Sequence, residues 1–120
     1  MDEMNLRNYA YLGDAVWELF IREITVNLTG NAKKLHAITT AKVKGAFQAE
    51  LLKSIEDELT PDEIEIARRG RNLPIPIGRK SCQNEYRQAT AFETLIGLWY
   101  LKDKKRLEYF LDRFKQNFVF

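Results

Sequence analysis

Most of the 17 acidic side chains lie in the stretch Glu50 to Glu65 or close to bases, where a helical ion pair or a solvated face accounts for them. Asp14 and Glu93 stand apart. Asp14 lies within Tyr11-Leu12-Gly13-Asp14-Ala15-Val16-Trp17, and Glu93 within Ala89-Thr90-Ala91-Phe92-Glu93-Thr94-Leu95-Ile96-Gly97, both surrounded by small and apolar residues. A carboxylate in such a setting is costly unless it is paired or bound to a cation. Each has a glycine beside it or one turn away, so two helices carrying them can cross closely and bring the acids together. Two carboxylates held near each other with no base between them form a site for a hard divalent cation, Mg²⁺ above all. Taken singly, each is also accounted for as a partly exposed helix acid, and sequence spacing leaves both readings open.

Other site chemistry finds less support. His36 is the only histidine and Cys82 the only cysteine. A Ser-His-Asp or Cys-His relay would have to be built on His36, and a lone helical histidine is usually a surface or satisfied core residue. One cysteine excludes an intrachain disulfide and a four-cysteine zinc site, and fits a reducing, cytoplasmic location. Met1-Asp2-Glu3-Met4 carries two acids and leads into no unbroken apolar stretch, so neither a signal peptide nor a membrane anchor is expected.

The segments that must position the two acids read as helices. From Leu6 to about Asn27, Leu12, Val16, Leu19 and Phe20 recur at three- and four-residue spacing, with Gly30 beyond as a stop signal. Gly13 in the interior costs about 1 kcal/mol relative to alanine, and close approach of another backbone explains its presence. A short helical turn is expected around Ala32 to Ala37. Thr40 is then placed as the cap of a helix whose Val43, Phe47, Leu51, Ile55 and Leu59 form one apolar stripe. Thr60-Pro61-Asp62-Glu63 joins a capping box to a proline at the first helical position, opening a helix expected to run to Arg69 before Gly70. Leu73-Pro74-Ile75-Pro76-Ile77-Gly78 forbids helix, so Arg71 to Asn84 reads as an exposed basic loop. Helical periodicity resumes from Glu85 to Leu101, and Asp103 caps a last helix carrying Leu107, Phe110, Leu111 and Phe114.

The prediction is therefore an all-α domain of five or six helices spanning residues 1–120. With 45% hydrophobic and 30% charged residues, six Gly and three Pro, disordered, collagen-like and low-complexity classes are excluded. Net charge is only +2, but it is polarised: residues 1–66 hold 7 bases and 12 acids, and residues 67–120 hold 12 bases and 5 acids. Thr25 to Ala49 contains no acid but has Lys33, Lys34, Lys42 and Lys44. Ala67 to Asn84 contains none but has Arg68, Arg69, Arg71, Arg79 and Lys80. Segregated cations of this kind suit a polyanion such as nucleic acid, although ordinary solvated helix faces account for either stretch alone.

At the two acid-bearing segments the pattern becomes specific. Tyr11-Leu12-Gly13-Asp14-Ala15-Val16 resembles the signature helix of the ribonuclease III endonuclease domain. Phe92-Glu93-Thr94-Leu95-Ile96-Gly97 with Tyr100-Leu101 resembles that domain's second acidic motif. Between them, Leu35-His36 through Val43, Gln48-Ala49-Glu50 and Arg68-Arg69-Gly70-Arg71-Asn72 are similar to the small Mini-III branch, which lacks the separate double-stranded-RNA-binding domain. The likeness covers nearly the whole chain. It departs from the full-length pattern at Ala10 and Thr90, where two further acids are expected, a reduction the Mini-III branch shares.

The resemblance implies a Mg²⁺-dependent endoribonuclease in which Asp14 and Glu93 hold the metal, with Thr90 placed to hold a water and Glu18 to supplement the site. It implies in-line attack by water on double-stranded RNA, leaving a 5′ phosphate and a 3′ hydroxyl, and a homodimer that presents two sites to the duplex. It further suggests maturation of the large-subunit ribosomal RNA precursor. Duplex RNA is recognised mainly through phosphates and 2′-hydroxyls. The candidates for that contact are Lys33, Lys34, His36, Lys42 and Lys44 on one side and Arg68, Arg69, Arg71, Asn72, Arg79, Lys80 and Arg87 on the other, with Arg68 to Asn72 foremost. Tyr9, Tyr11, Trp17, Phe92, Trp99 and Tyr100 crowd the motif helices and serve a dimer interface or the core equally. Two other functions compete: a non-catalytic RNA-binding relative of the same fold, and a helical adaptor whose acidic Glu50 to Glu65 stretch docks a basic partner.

Overall fold

The computed structural model describes residues 3–43, 45–75 and 83–120. Among them run six α-helices and no strand: α1 (Glu3–Thr25), α2 (Ala32–Val43), α3 (Gly45–Ile55), α4 (Pro61–Arg71), α5 (Gln83–Lys102) and α6 (Lys104–Gln116), with a single 3₁₀ turn at Glu56–Glu58. The all-helical expectation holds. The centre of the molecule is α5, which buries Ala89, Ala91, Phe92, Thr94, Leu95, Ile96, Gly97 and Trp99, and α1, α3, α4 and α6 pack around it. A helix buried on nearly all sides needs apolar or small residues at consecutive positions, and Ala91 to Gly97 supplies them save for Glu93. The core is completed by Trp17 and Ile21 of α1, Leu52 and Ile55 of α3, and Leu107, Phe110 and Phe114 of α6. Trp17 meets Phe92 edge to face at 5.0 Å, and Trp99 stacks on Phe110 at 4.8 Å, geometries that favour aromatic pairs beyond area burial alone.

The α1–α2 region departs from its sequence pattern. Instead of a short turn at Ala32 to Ala37, α2 runs 12 residues to Val43, and Thr40 lies inside it rather than capping the next helix. Asn31 supplies the cap, accepting from Lys34 N at 3.0 Å. The β-branched Thr39 is accommodated because its hydroxyl meets that of Thr25 at 3.1 Å in a buried pair, so the segment has a tertiary reason to stay helical. The expected stripe from Val43 to Leu59 is consequently divided between two helices and the 3₁₀ turn. The fully buried ridge of α3 is Gln48, Leu52 and Ile55, while Phe47 and Leu51 are only half-buried.

The capping box at α4 forms as expected: Glu63 N donates to Thr60 Oγ1 at 3.2 Å and Thr60 N to Glu63 Oε1 at 2.8 Å. Gly70 does not stop the helix, which continues to Arg71. A Cβ at Gly70 would lie 3.1 Å from both Ala91 Cα and Thr94 Oγ1, so the glycine marks where α4 presses on α5. Of the expected Arg71–Asn84 loop, Arg71 belongs to α4, Gln83 and Asn84 begin α5, and Leu73 is buried. Residues 76–82, which include Arg79, Lys80 and Cys82, lie outside the described residues, as does Lys44. Asp103 caps α6 through Arg106 N at 3.1 Å.

Of the seven acids between Glu50 and Glu65, Glu63 is buried, Glu58 is half-buried and the others are exposed. Glu63 is buried and accepts from Trp99 Nε1 at 2.8 Å and from Arg106 through both oxygens, at 2.8 and 3.1 Å. Burial raises the Glu63 pKa, but hydrogen bonds from Arg106, the Thr60 backbone and Trp99, with the Arg106 charge, more than offset this and hold it below the usual carboxylate range. Glu58 pairs with Arg113 and accepts from Tyr109, and Glu65 pairs with Arg68. Glu63 ties α4 to α6 and Glu58 ties the 3₁₀ turn to α6, while the Glu65 pair stays within α4.

Candidate active site

Gly13 and Gly97 make the site possible. A Cβ built on Gly13 would overlap the Glu93 carbonyl oxygen and lie 3.0 Å from Gly97 N, and one built on Gly97 would overlap the Tyr9 carbonyl oxygen and lie 3.0 Å from Gly13 N. The two backbones are thus in direct contact, each glycine seated on the other helix. No side chain larger than hydrogen fits at either position. This accounts for an interior helical glycine that propensity alone disfavours.

The crossing brings Asp14 and Glu93 together. The Glu93 carboxyl is hydrogen-bonded to Asp14 and receives a second hydrogen bond from the side-chain amide of Gln48. Burial, reinforced by that bond and by the negative charge of Asp14, pushes Glu93 up to about 9, and the Gln48 amide partly opposes the shift. Glu93 therefore keeps its proton at neutral pH. It opens into a cleft of about 820 Å³ between α1, α3 and α5, lined among others by Arg7, Tyr11, Val43, Gln48, Leu73, Glu85 and Thr90.

The donor set fits a hard divalent ion. Carboxyl oxygens, an amide and a hydroxyl are all hard ligands, and a carboxyl kept protonated only by burial and a neighbouring carboxylate exchanges its proton readily for a cation. Among the described residues no cluster of three or more His, Cys, Asp or Glu is placed to bind a metal. Two carboxylates are what the protein offers, leaving further coordination to water and substrate oxygens. Thr90 lines the cleft, its hydroxyl donating to Tyr86 O at 2.9 Å and keeping its lone pairs available. Glu18 does not join the site: it pairs with Arg22 at 2.9 Å and faces a separate groove between α1 and α2.

The basic candidates are dispersed. Arg68 is exposed and paired with Glu65 at 2.5 Å, Arg69 is half-exposed, and Asn72 caps the α4 C-terminus. Arg87 donates to the Arg71 carbonyl at 2.9 Å, strapping α5 to the end of α4. Leu73, the residue after Asn72, lines the cleft, whereas Arg71 and Asn72 do not. Lys33 and Lys34 are exposed at the start of α2, whereas Lys42 lies over the Phe47, Phe118 and Phe120 rings at 4.5 to 5.8 Å. His36 is exposed, within 3.4 Å of Thr40, away from the carboxylates. Two lining residues escaped the sequence reading. Arg7 is the one basic side chain among the described cleft residues and donates to Pro74 O at 3.1 Å. Its position seven residues before Asp14, two turns along one helix face, is the signal that identifies it. Gln48 is buried at 2% exposure, a polar residue in a core ridge; in the sequence it stands out only within the Gln48-Ala49-Glu50 resemblance, beside the expected apolar stripe and with no role attached.

Residues 7–104 match the family model described as Ribonuclease III domain. The chain is 40% identical over 104 residues to the Mini-ribonuclease 3 of Gloeobacter violaceus, covering 87% of this chain and 77% of that one. It is 39% identical over 112 residues to the Mini-ribonuclease 3 of Clostridium tetani, covering 90% and 74%. A crystal structure of a Fusobacterium nucleatum protein superposes with a TM-score of 0.82 at 31% identity, covering 92% of this chain and 91% of that chain. With the glycine-locked helix crossing and its paired carboxyls, these likenesses establish that the chain belongs to the ribonuclease III family, as an endoribonuclease of the Mini-ribonuclease 3 type.

Proposed function

We propose that the domain spanning residues 1–120 cleaves double-stranded RNA, with Asp14 and Glu93 holding Mg²⁺, and that it acts as a cytoplasmic homodimer maturing the large-subunit ribosomal RNA precursor. The observation that carries the catalytic reading is the pair of carboxyls brought into hydrogen bond at the floor of an open cleft by two facing glycines. When bound, a divalent ion supplies positive charge to the scissile phosphate and acidifies the attacking water, from which a 5′ phosphate and a 3′ hydroxyl result. Asp14, on the exposed side, and Glu93, in the floor, fix where that charge sits. A cation held there would take the place of the Glu93 proton, which would pass to solvent.

Arg7 supplies a cation to the same cleft, while Arg68, Arg69, Arg71 and Asn72 at the end of α4 and Arg87 bonded to it, with Lys33, Lys34, Lys42, Lys44, Arg79 and Lys80, carry the contacts to flanking phosphates. Of the six aromatics near the motifs, Trp17, Phe92 and Trp99 are core, but Tyr11 is 85% exposed one turn before Asp14, and an aromatic so placed supports a subunit interface beside the cleft. No helix of the described residues is long and apolar enough to cross a membrane.

The test is cleavage of duplex RNA in Mg²⁺ by Asp14→Asn and Glu93→Gln. Both are expected to abolish cutting while leaving folding and RNA binding largely intact, and retained activity in either refutes the site. A non-catalytic binder would instead leave the duplex intact with the unaltered chain. Sedimentation at micromolar concentration tests the dimer.

A further inference from the structure

The buried ridge of α3 is Gln48, Leu52 and Ile55, and its first member is an amide where an aliphatic side chain of the same size packs as well. Burying an amide without a hydrogen bond costs about 1–3 kcal/mol, so its presence needs a partner. The partner is Glu93, and Gln48 also lines the cleft that holds Asp14. At 2% exposure it is the most deeply buried polar side chain in that wall, held by the α3–α5 packing on one side and open to the carboxyls on the other.

The chemistry of the group is selective. An arginine or lysine at this point would neutralise the carboxyl pair and compete with a metal for it. An amide N–H orients a carboxylate without discharging it, and the amide oxygen remains as an acceptor for a water or a hydroxyl in the cleft.

We infer that Gln48 is a positioning residue that sets the Glu93 carboxylate in its metal-binding orientation through its side-chain amide. The inference rests on the reading of Asp14 and Glu93 as the metal pair. Removing a partner that orients a metal ligand weakens metal affinity by about 10–100-fold.

The experiment measures Mn²⁺ binding to the RNA-free full chain by electron paramagnetic resonance, for the unaltered protein, Gln48→Met and Asp14→Asn. Gln48→Met keeps the volume and removes the donor. It is expected to bind Mn²⁺ about 10–100-fold more weakly, to retain its helical circular dichroism, and to recover cleavage rate as Mg²⁺ is raised, a rescue that a purely structural role does not give. Should Gln48→Met not fold, the unaltered protein still decides: the Gln48 side-chain amide resonances are expected to shift on adding Mg²⁺, and not to shift in Asp14→Asn. Weak binding by Asp14→Asn with unchanged affinity in a folded Gln48→Met, or with unmoved Gln48 resonances, overturns the role of Gln48 and leaves the carboxyl pair standing. Unchanged affinity in Asp14→Asn overturns both.

Discussion

Without metal, Glu93 sets a pH dependence of stability opposite in sign to that of an ordinary paired acid. Its carboxyl keeps its proton to about pH 9 in the folded chain, while the unfolded chain releases it near 4.5. Between those values the folded state binds one more proton, so stability falls as pH rises, by about 1.4 kcal/mol per pH unit. From pH 6 to pH 8 the loss is about 3 kcal/mol, a large part of the roughly 5–15 kcal/mol available to a domain. The assay is urea unfolding in EDTA at pH 6 and pH 8 for the unaltered protein and for Glu93→Gln. The amide does not titrate, so the variant should hold its stability across the interval and exceed the unaltered protein at pH 8, despite lacking activity. Mg²⁺ should restore the unaltered protein more at pH 8 than at pH 6, because the proton it displaces is then less costly to remove. A flat profile for the unaltered protein, or the same slope in Glu93→Gln, refutes the account of a buried Glu93 proton.

Gly97→Ala places a Cβ 2.8 Å from the Tyr9 carbonyl carbon and closer still to its oxygen, so α1 and α5 must separate; an unfolding loss of about 1–3 kcal/mol is expected, together with a loss of Mn²⁺ affinity measured under conditions where the variant stays folded. Glu63 carries the opposite linkage from Glu93: with its folded pKa lowered, its stabilisation is complete above pH 4.5 and disappears as pH falls through the folded value. Glu63→Gln should cost about 3 kcal/mol at neutral pH by leaving Arg106 unpaired, and urea midpoints from pH 3 to 6 should show a shallower acid limb. Replacing Arg68 and Arg69 by alanine should weaken duplex binding and lower the salt slope by about one to two, with cleavage at saturating RNA retained.

The features legible in the sequence are those whose physics is local. Thr60-Pro61-Asp62-Glu63 and Asp103 hold their caps within four residues, and both caps form. Gly13 announced a close approach because an interior helical glycine has few other reasons to exist. Where tertiary contacts decide, local signals misled. Thr40 has the chemistry of a cap, but the Thr25–Thr39 pair and the Asn31 cap carry α2 past it. Gly70 has the form of a stop and serves instead as a seat against Ala91 and Thr94. In the site, the small-residue surroundings of Asp14 and Glu93 marked them, whereas the role of Gln48 was hidden because the apolar stripe through Phe47 and Leu51 points to a face next to the ridge that α3 buries. Arg7 was hidden because one base on an exposed helix face is ordinary until the fold shows what it faces.

The two glycines give the carboxyl pair an unusual independence from the surrounding core. Because α1 and α5 meet peptide to peptide, the separation of the acids is gauged by covalent geometry rather than by how neighbouring side chains interlock. Exchanges among Trp17, Phe92 and Phe114 that disturb packing should therefore change melting temperature well before they alter the gap between the carboxyls. The arrangement is also portable: a pair of rods with hydrogen-only notches, each carrying one acid next to or one turn from its notch, specifies the geometry on any helical scaffold that lets them touch.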